Sequence, residues 1–256
     1  MKTEYNEACE RFGITHFSSQ SINLFLANIP LFILKYCKGY KGPQNAAMLR
    51  GSSADKMIGE AVADLRISVE NMENRADKYF DSAIDDLEDT PENIEKEKQS
   101  LKSYVRAGVP FYRKLGKPVS YQQQVNLDFD DLPTILGYCD LEYQDMVRDI
   151  KTTTRTPSKI PEQVSRQLCI YATALEKPKA CADYIVVTKT TSNVVTFDCD
   201  DINLRLDEVY RAASAMMNLL YNNDINSLRD QFYPDFSDWR WDQHSIEAAK
   251  KFWSIK

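Results

Sequence analysis

Residues 136–152, Leu-Gly-Tyr-Cys-Asp-Leu-Glu-Tyr-Gln-Asp-Met-Val-Arg-Asp-Ile-Lys-Thr, constrain this chain more than any other stretch. Residues 134–143 and 146–153 each read as a short strand, and Gln144-Asp145 supplies the turn between them. If that two-residue loop closes a hairpin, Asp140 lies directly opposite Asp149, with opposed Cβ atoms about 4.5–5.5 Å apart. Side chains alternate along a strand, so Asp149 and Lys151 share a face. Opposed like charges are destabilising, and a divalent cation between them would remove that cost. Oxygen ligands without sulfur or imidazole suit magnesium or manganese. Asp-x-Lys also occurs on solvated strand faces, and the turn is neither Asn-Gly nor Asp-Gly. The hairpin alone therefore leaves a metal site and an exposed face both open.

Composition narrows the class. The 256 residues are 43% hydrophobic and 27% charged, enough for one large globular domain spanning 1–256. No apolar run reaches membrane-spanning length, since the most apolar stretch, 24–34, is interrupted by Asn28 and Pro30. The start, Met-Lys-Thr-Glu-Tyr-Asn-Glu, lacks a signal peptide's basic and apolar regions, which predicts a cytoplasmic protein without a membrane partner. Cys9, Cys37, Cys139, Cys169, Cys181 and Cys199 show no C-x-x-C spacing and read as buried thiols. The net charge of −6 argues against phosphate binding through the overall field, although Lys151, Arg155, Lys159 and Arg166 form a local basic cluster. Neither phosphate-binding glycine motif occurs, and His16 and His244 have no partner pattern for nucleophilic catalysis.

The periodicities predict helices first, to about residue 115, then a sheet with a helix over 116–200, then a C-terminal helix and tail over 201–256. Ser18 to Ser21 cap a helix, and Pro30 kinks or restarts it. Gly51-Ser-Ser reads as the cap of a helix running to about residue 76. Thr90-Pro91 opens another, to about Gly108. Strands are expected over 119–129, in the hairpin, and over 184–189 and 193–198. Helices are expected from Pro161 to about Glu176 and over 202–221, the latter with Leu204, Val209, Ala212, Met216 and Leu220 inward. The fold class is α/β (α+β), with a central mixed sheet flanked by helices.

Other residues could join the hairpin. Asp55 falls in the first turn of the helix assigned to the Gly51 cap, where carboxylates are ordinary. Gln167 and Tyr171 stand four apart on one helix face, either as boundary residues or as a pair orienting Lys151 or a phosphate. Thr152, Thr153 and Arg155 can contact phosphate or lie in a solvated loop. Tyr233, Phe236, Trp239 and Trp241 either stack bases or, more often for such residues, pack the tail onto the core.

Taken in order, these pieces resemble the PD-(D/E)XK nuclease superfamily, in its RecB-like and lambda-exonuclease-like branch. Ser18 to Leu26 and Ile29 to Tyr36 are similar to that branch's opening helices. Arg50-Gly51-Ser-Ser-Ala-Asp55 is similar to its Arg-Gly-x-x-x-His element, Gly137-Tyr-Cys-Asp140 with Asp149-Ile-Lys151 to its core motif, and Gln167-Leu-Cys-Ile-Tyr171 to its Q-x-x-x-Y motif. Asp55 stands where histidine is usual, Ile29 stands about where an early cluster cysteine would be, and 234–253 contains no cysteine.

The resemblance implies a restriction-endonuclease-like core with N-terminal helices and no iron–sulfur cluster. It implies magnesium or manganese held by Asp55, Asp140, Asp149 and the Ile150 carbonyl. Lys151 would position or help deprotonate the attacking water and stabilise charge on the phosphate, with Gln167 and Tyr171 orienting it or DNA, and Thr152, Thr153 and Arg155 contacting DNA. The implied activity is a DNA exonuclease of recombination, repair or phage DNA turnover in a bacterial or phage-infected cell, leaving 5′-phosphates, with an annealing protein or helicase as partner. A structure-specific endonuclease and a non-catalytic DNA-end-binding subunit are the competing readings.

Overall fold

In the computed structural model, which describes residues 2–255, most helices begin where a Ser, Thr, Asn or Asp side chain can accept an orphan amide. In chain order the elements are α1 (Lys2–Glu10), α2 (Ser19–Ala27), α3 (Ile29–Phe32) running into a π-turn (Ile33–Cys37), α4 (Ala46–Ala63), α5 (Val69–Asp81), α6 (Pro91–Leu115), β1 (Ser120–Leu127), β2 (Ile135–Glu142), β3 (Met146–Thr153), α7 (Glu162–Ala174), β4 (Lys179–Val187), β5 (Ser192–Asp198), α8 (Ile202–Tyr221), α9 (Ile225–Gln231) and α10 (Gln243–Trp253). Ser18 caps α2 in a reciprocal pair with Ser21. Asn28 ends α2 and caps α3, so the chain restarts around Pro30 as the sequence predicts. Thr90 caps α6 and Pro91 opens it.

Gly51 is not a cap. Asn45 caps α4 by accepting from the Met48 amide, which puts Gly51 inside the helix. The stretch read as one helix to residue 76 is two helices, because Asp64 leaves helical geometry and Ser68 caps α5. Helix α6 runs past Gly108 to Leu115, and β4 starts at Lys179 rather than Tyr184. Helix α9 lacks a sequence signal because it is seven residues long with only Leu228 buried.

The chain divides into two compact units, one of Met1–Gly42, Asn126–Gly137 and Asn203–Lys256, the other of Pro43–Val125 and Tyr138–Ile202. In the first, Arg11 donates to the last carbonyls of α8, Leu220 and Tyr221, where a cation meets the helix dipole. Val209, Ala212, Met216 and Leu220 face inward, but Leu204 is exposed. Trp241 is buried and packs edge-on against Phe236, whereas Tyr233 and Trp239, expected to pack, are exposed.

In the second unit the strands lie in the order β1-β2-β3-β4-β5. β2 and β3 are antiparallel, β3 and β4 parallel, β4 and β5 antiparallel, which makes the sheet mixed. The parallel pair requires a crossover, and α7 supplies it. From Ala180 to Val186 β4 is buried without interruption, as a strand covered on both faces must be. One face carries α4 and α6, whose Ile58, Leu101, Val105 and Tyr112 pack with Leu141, Ile150 and Ile185 of the sheet. Helix α7 packs on β3 and β4. All six cysteines are buried, and none forms a disulfide. Among the described residues, no helix is long and apolar enough to cross a membrane.

Gly108 explains why α6 continues where the sequence suggested an end. A Cβ there would lie 2.7 Å from Ile58 Cδ1 and 2.8 Å from Ile185 Cδ1, so glycine lets α6 approach both α4 and β4. Gly108→Val should cost about 1–3 kcal/mol through overpacking, lowering Tm by about 2–4 °C per kcal/mol. A thermal melt at or above wild type would show that this approach is not tight.

Candidate active site

The hairpin closes as its loop dictates. The Tyr143 amide donates to the Met146 carbonyl at 2.8 Å, and Leu141 pairs with Arg148 and Glu142 with Val147. Beyond these rungs the Ile150 amide donates to Asp140 Oδ2 at 2.7 Å, so a side-chain carboxylate takes a backbone position in the ladder. Gln122 of β1 donates from Nε2 to the other oxygen of Asp140 at 3.0 Å. Asp140 is therefore oriented from two neighbouring strands.

Alternation along β3 sends Ile150 into the core beneath α4 and α6 and leaves Asp149 and Lys151 on the face of α7. Asp149 is 1% exposed. Lys151 Nζ lies 2.6 Å from Asp149 Oδ2, a close ion pair at hydrogen-bonding distance. Lys151 Nζ also donates to Gln167 Oε1 at 3.2 Å, and Gln167 Nε2 donates to the Tyr171 hydroxyl at 2.7 Å. The four-residue spacing on α7 aligns Gln167 and Tyr171 on one face, and this relay fixes the ammonium.

Asp55 sits mid-helix on α4, so the dipole argument for its position does not apply. It joins Asp140 in lining a cleft with Ser52, Lys56, Glu60, Tyr121 and Gln122. Its Oδ1 is buried with no hydrogen-bond partner. Burial, and then the charge of Asp140, push the Asp55 carboxyl well above its ordinary value. Burial, followed by the charge of Asp149, pushes Asp140 up to about 7, against the pull of Lys151, the Ile150 amide and Gln122. Burial also raises Asp149, with Lys151 opposing. Burial pulls the Lys151 ammonium down, but Asp149 and Asp140 outweigh it and hold the pKa above the ordinary lysine value. Burial raises the Tyr171 phenol.

The hydroxyls and Arg beyond Lys151 are less unified. Thr152 Oγ1 accepts from Arg50 at 3.3 Å, while Arg50 is buried, ion-paired with Glu97 and stacked over Tyr104. The Thr153 hydroxyl donates to the Arg155 carbonyl and accepts from its amide, making a local turn that leaves Arg155 exposed. Gln122 is the site residue that sequence reasoning missed. It stands in a run of three glutamines with nothing to distinguish it. His16 and His244 are both exposed.

The donor set fits a hard divalent cation. A buried oxygen of Asp55 lacks a hydrogen bond, the charges of Asp140 and Asp149 raise the Asp55 carboxyl, and that of Asp149 raises Asp140. Among the described residues, no three His, Cys, Asp or Glu side chains already form a closed cage. Magnesium does not need one, because it binds through one or two carboxylates and keeps water or phosphate oxygens.

The fold is shared with a solved structure. Over 91% of this chain and 88% of the other, it aligns at TM-score 0.57 and 11% identity with the crystal structure of a protein called "putative exonuclease" from Eubacterium rectale. A second structure, of SSO0001, aligns over 73% of this chain and 84% of that one at 13% identity, with a TM-score of only 0.33. No family model and no curated protein matches the chain. At 11% identity the likeness to the first of these structures shows the fold alone.

The raised carboxyl has a consequence for stability. Without divalent cation, native Asp140 keeps its proton up to about pH 7, while an unfolded aspartate releases it near about 3.9. The native state therefore binds more protons between those values, and this group's contribution falls as pH rises from about 4 toward 7. Asp140→Asn can still accept the Ile150 amide, so it should flatten that fall and raise Tm at pH 8 by about 2–4 °C per kcal/mol relieved. Magnesium should raise the wild-type Tm by mass action and the variant's much less. A variant melting below wild type at pH 8 would show that the carboxylates do not strain one another.

Proposed function

We propose that this chain is a divalent-metal-dependent DNA nuclease of the PD-(D/E)XK type, acting from DNA ends. The observation that carries the reading is the assembly of Asp140, Asp149 and Lys151 on one β-ribbon, with Lys151 held by Gln167 and Tyr171. Asp55 on α4 completes the acidic set. The fold similarity to the E. rectale protein is in keeping with this reading.

Asp149, Asp140 and Asp55, with the Ile150 carbonyl, would hold magnesium or manganese. When bound, the ion supplies Lewis-acid polarisation of the scissile phosphate and lowers the pKa of the attacking water. The residues do the rest by position and charge. The Ile150 amide and Gln122 fix the Asp140 carboxylate against rotation. Lys151, held as an ammonium by its acidic neighbours, is a donor and a positive charge rather than a base. In this reading it would face the phosphate oxygens on which negative charge accumulates, and such preorganised charge is worth most in the transition state. Gln167 accepts from Lys151 and is itself fixed by Tyr171, so the ammonium does not have to reorganise during reaction. Thr152, Thr153 and Arg155 lie immediately along the chain, and Arg155 is free to reach a phosphate of the DNA backbone.

Linear and closed circular duplex DNA, incubated with the protein and magnesium or manganese, decide the matter. Loss of the linear form alone is expected, and cutting of closed circles would instead assign endonuclease activity. Lys151→Ala and Asp149→Ala should each reduce turnover about 100-fold or more with the fold retained by circular dichroism. Gln167→Ala should have a smaller effect, through kcat rather than KM. Full activity in both of the first two variants would remove the site assignment, and no cleavage by wild type with either metal would remove the function.

A further inference from the structure

Tyr121 and Gln122 are consecutive residues of β1, yet both line the cleft that contains Asp55 and Asp140. Consecutive side chains of a regular strand point to opposite faces. Here Gln122 has φ of +50°, a left-handed conformation for a residue that is neither glycine nor asparagine. Such a conformation costs free energy in an L-residue and persists only where surrounding contacts hold it. The contact is visible: Gln122 reaches Asp140 Oδ1, and the twist it imposes brings Tyr121 to the same side.

The Tyr121 ring has a place made for it on α4. A Cβ at Gly59 would lie 2.5 Å from Tyr121 Cδ2, so only glycine lets the ring rest on the helix there. Glycine inside a helix is unfavourable relative to alanine, and here it makes room for an aromatic side chain. Tyr121 nevertheless remains 40% exposed. On the same cleft, Lys56 places its ammonium 4.8 Å from the centre of the Tyr79 ring and is itself exposed. A supported aromatic surface and a cation thus flank the acidic group.

We propose that this cleft is a nucleotide subsite, in which Tyr121 stacks on the base next to the scissile phosphate and Lys56 contacts the neighbouring backbone phosphate. The inference rests on the nuclease reading for the position of the scissile phosphate but not for the existence of the subsite. Every base has a face to stack, so the subsite grips single-stranded nucleic acid with little sequence preference. Gln122 couples the two functions, because the residue that orients Asp140 also sets the direction of Tyr121.

The test uses the full chain in two assays. In the first, binding of a fluorescent single-stranded oligonucleotide is followed by anisotropy with calcium in place of magnesium. Tyr121→Leu should weaken binding roughly tenfold or more, Tyr121→Phe should bind like wild type, and Lys56→Ala should weaken binding with a shallower salt dependence. In the second, oligonucleotides with a single abasic position are cleaved with magnesium. Wild type should be slowed when the missing base adjoins the scissile phosphate, and Tyr121→Leu should be indifferent to the same gap. Wild type that binds but does not cleave would end the nuclease reading, while weaker binding by Tyr121→Leu would still support the subsite. Binding by Tyr121→Leu equal to wild type, equal losses in Tyr121→Phe and Tyr121→Leu, or unchanged abasic sensitivity in Tyr121→Leu would overturn the proposal. So would a failure of wild type to bind the oligonucleotide.

Discussion

Past the rung that pairs Leu141 with Arg148, the Ile150 amide turns to the Asp140 carboxylate instead of a backbone carbonyl. A continued ladder would have used the carbonyl of Cys139. The substitution opens the sheet at one point while leaving the buried amide satisfied, which is the condition for keeping such a break inside a folded protein. Everything at the site follows from it. The opening holds the Asp140 carboxylate against β3, with Asp149 and Lys151 near enough to shift its ionisation.

The resulting cluster is held against its own electrostatics. Asp149 is almost wholly removed from water, and Asp55 and Asp140 have raised pKa values because their charges are poorly solvated and close to one another. One ammonium balances part of this charge. Its anchoring to Gln167 and Tyr171 keeps it from being a freely adapting counter-ion, since the relay fixes its direction. Unrelieved repulsion of this kind concentrates at functional sites, where the rest of the fold must supply the compensating stability. The core of α4 and α6 against the sheet does so, with Tyr104, Tyr112, Ile58 and Leu101 fully buried.

How much of this could be read from the sequence depends on the range of each interaction. The hairpin register was legible because a two-residue loop permits only one, and the Gln167–Tyr171 pair because four residues on a helix fix a shared face. The capping of α2, α3 and α6 was legible from local side chains. Gly51 misled because it stands before two serines, whereas Asn45 already satisfies the first amides of α4. Gly108 misled similarly, since only the packed neighbours Ile58 and Ile185 explain a glycine there. Gln122 and Tyr121 carried no signal at all. Their importance comes from a backbone dihedral and from Gly59, which lies more than 60 residues earlier and meets Tyr121 only in the folded chain.

Asp183 shows why burial and charge alone do not make a site. It lies in register with Ile150 on the adjacent strand and is fully buried. Both its oxygens are 2.9 Å from Arg148 Nη1, and Thr196 donates a third bond at 2.5 Å. No oxygen is left over, so the group is a satisfied polar link across three strands, of the kind that is costly to break and offers nothing to a ligand. Asp149 precedes Ile150 on β3 and faces the other way. Its Oδ2 is taken by Lys151 at 2.6 Å, whereas the nearby Asp55 Oδ1 has no partner at all. What separates Asp183 from Asp55 is thus not charge alone but whether the fold has already used the lone pairs of the carboxylate.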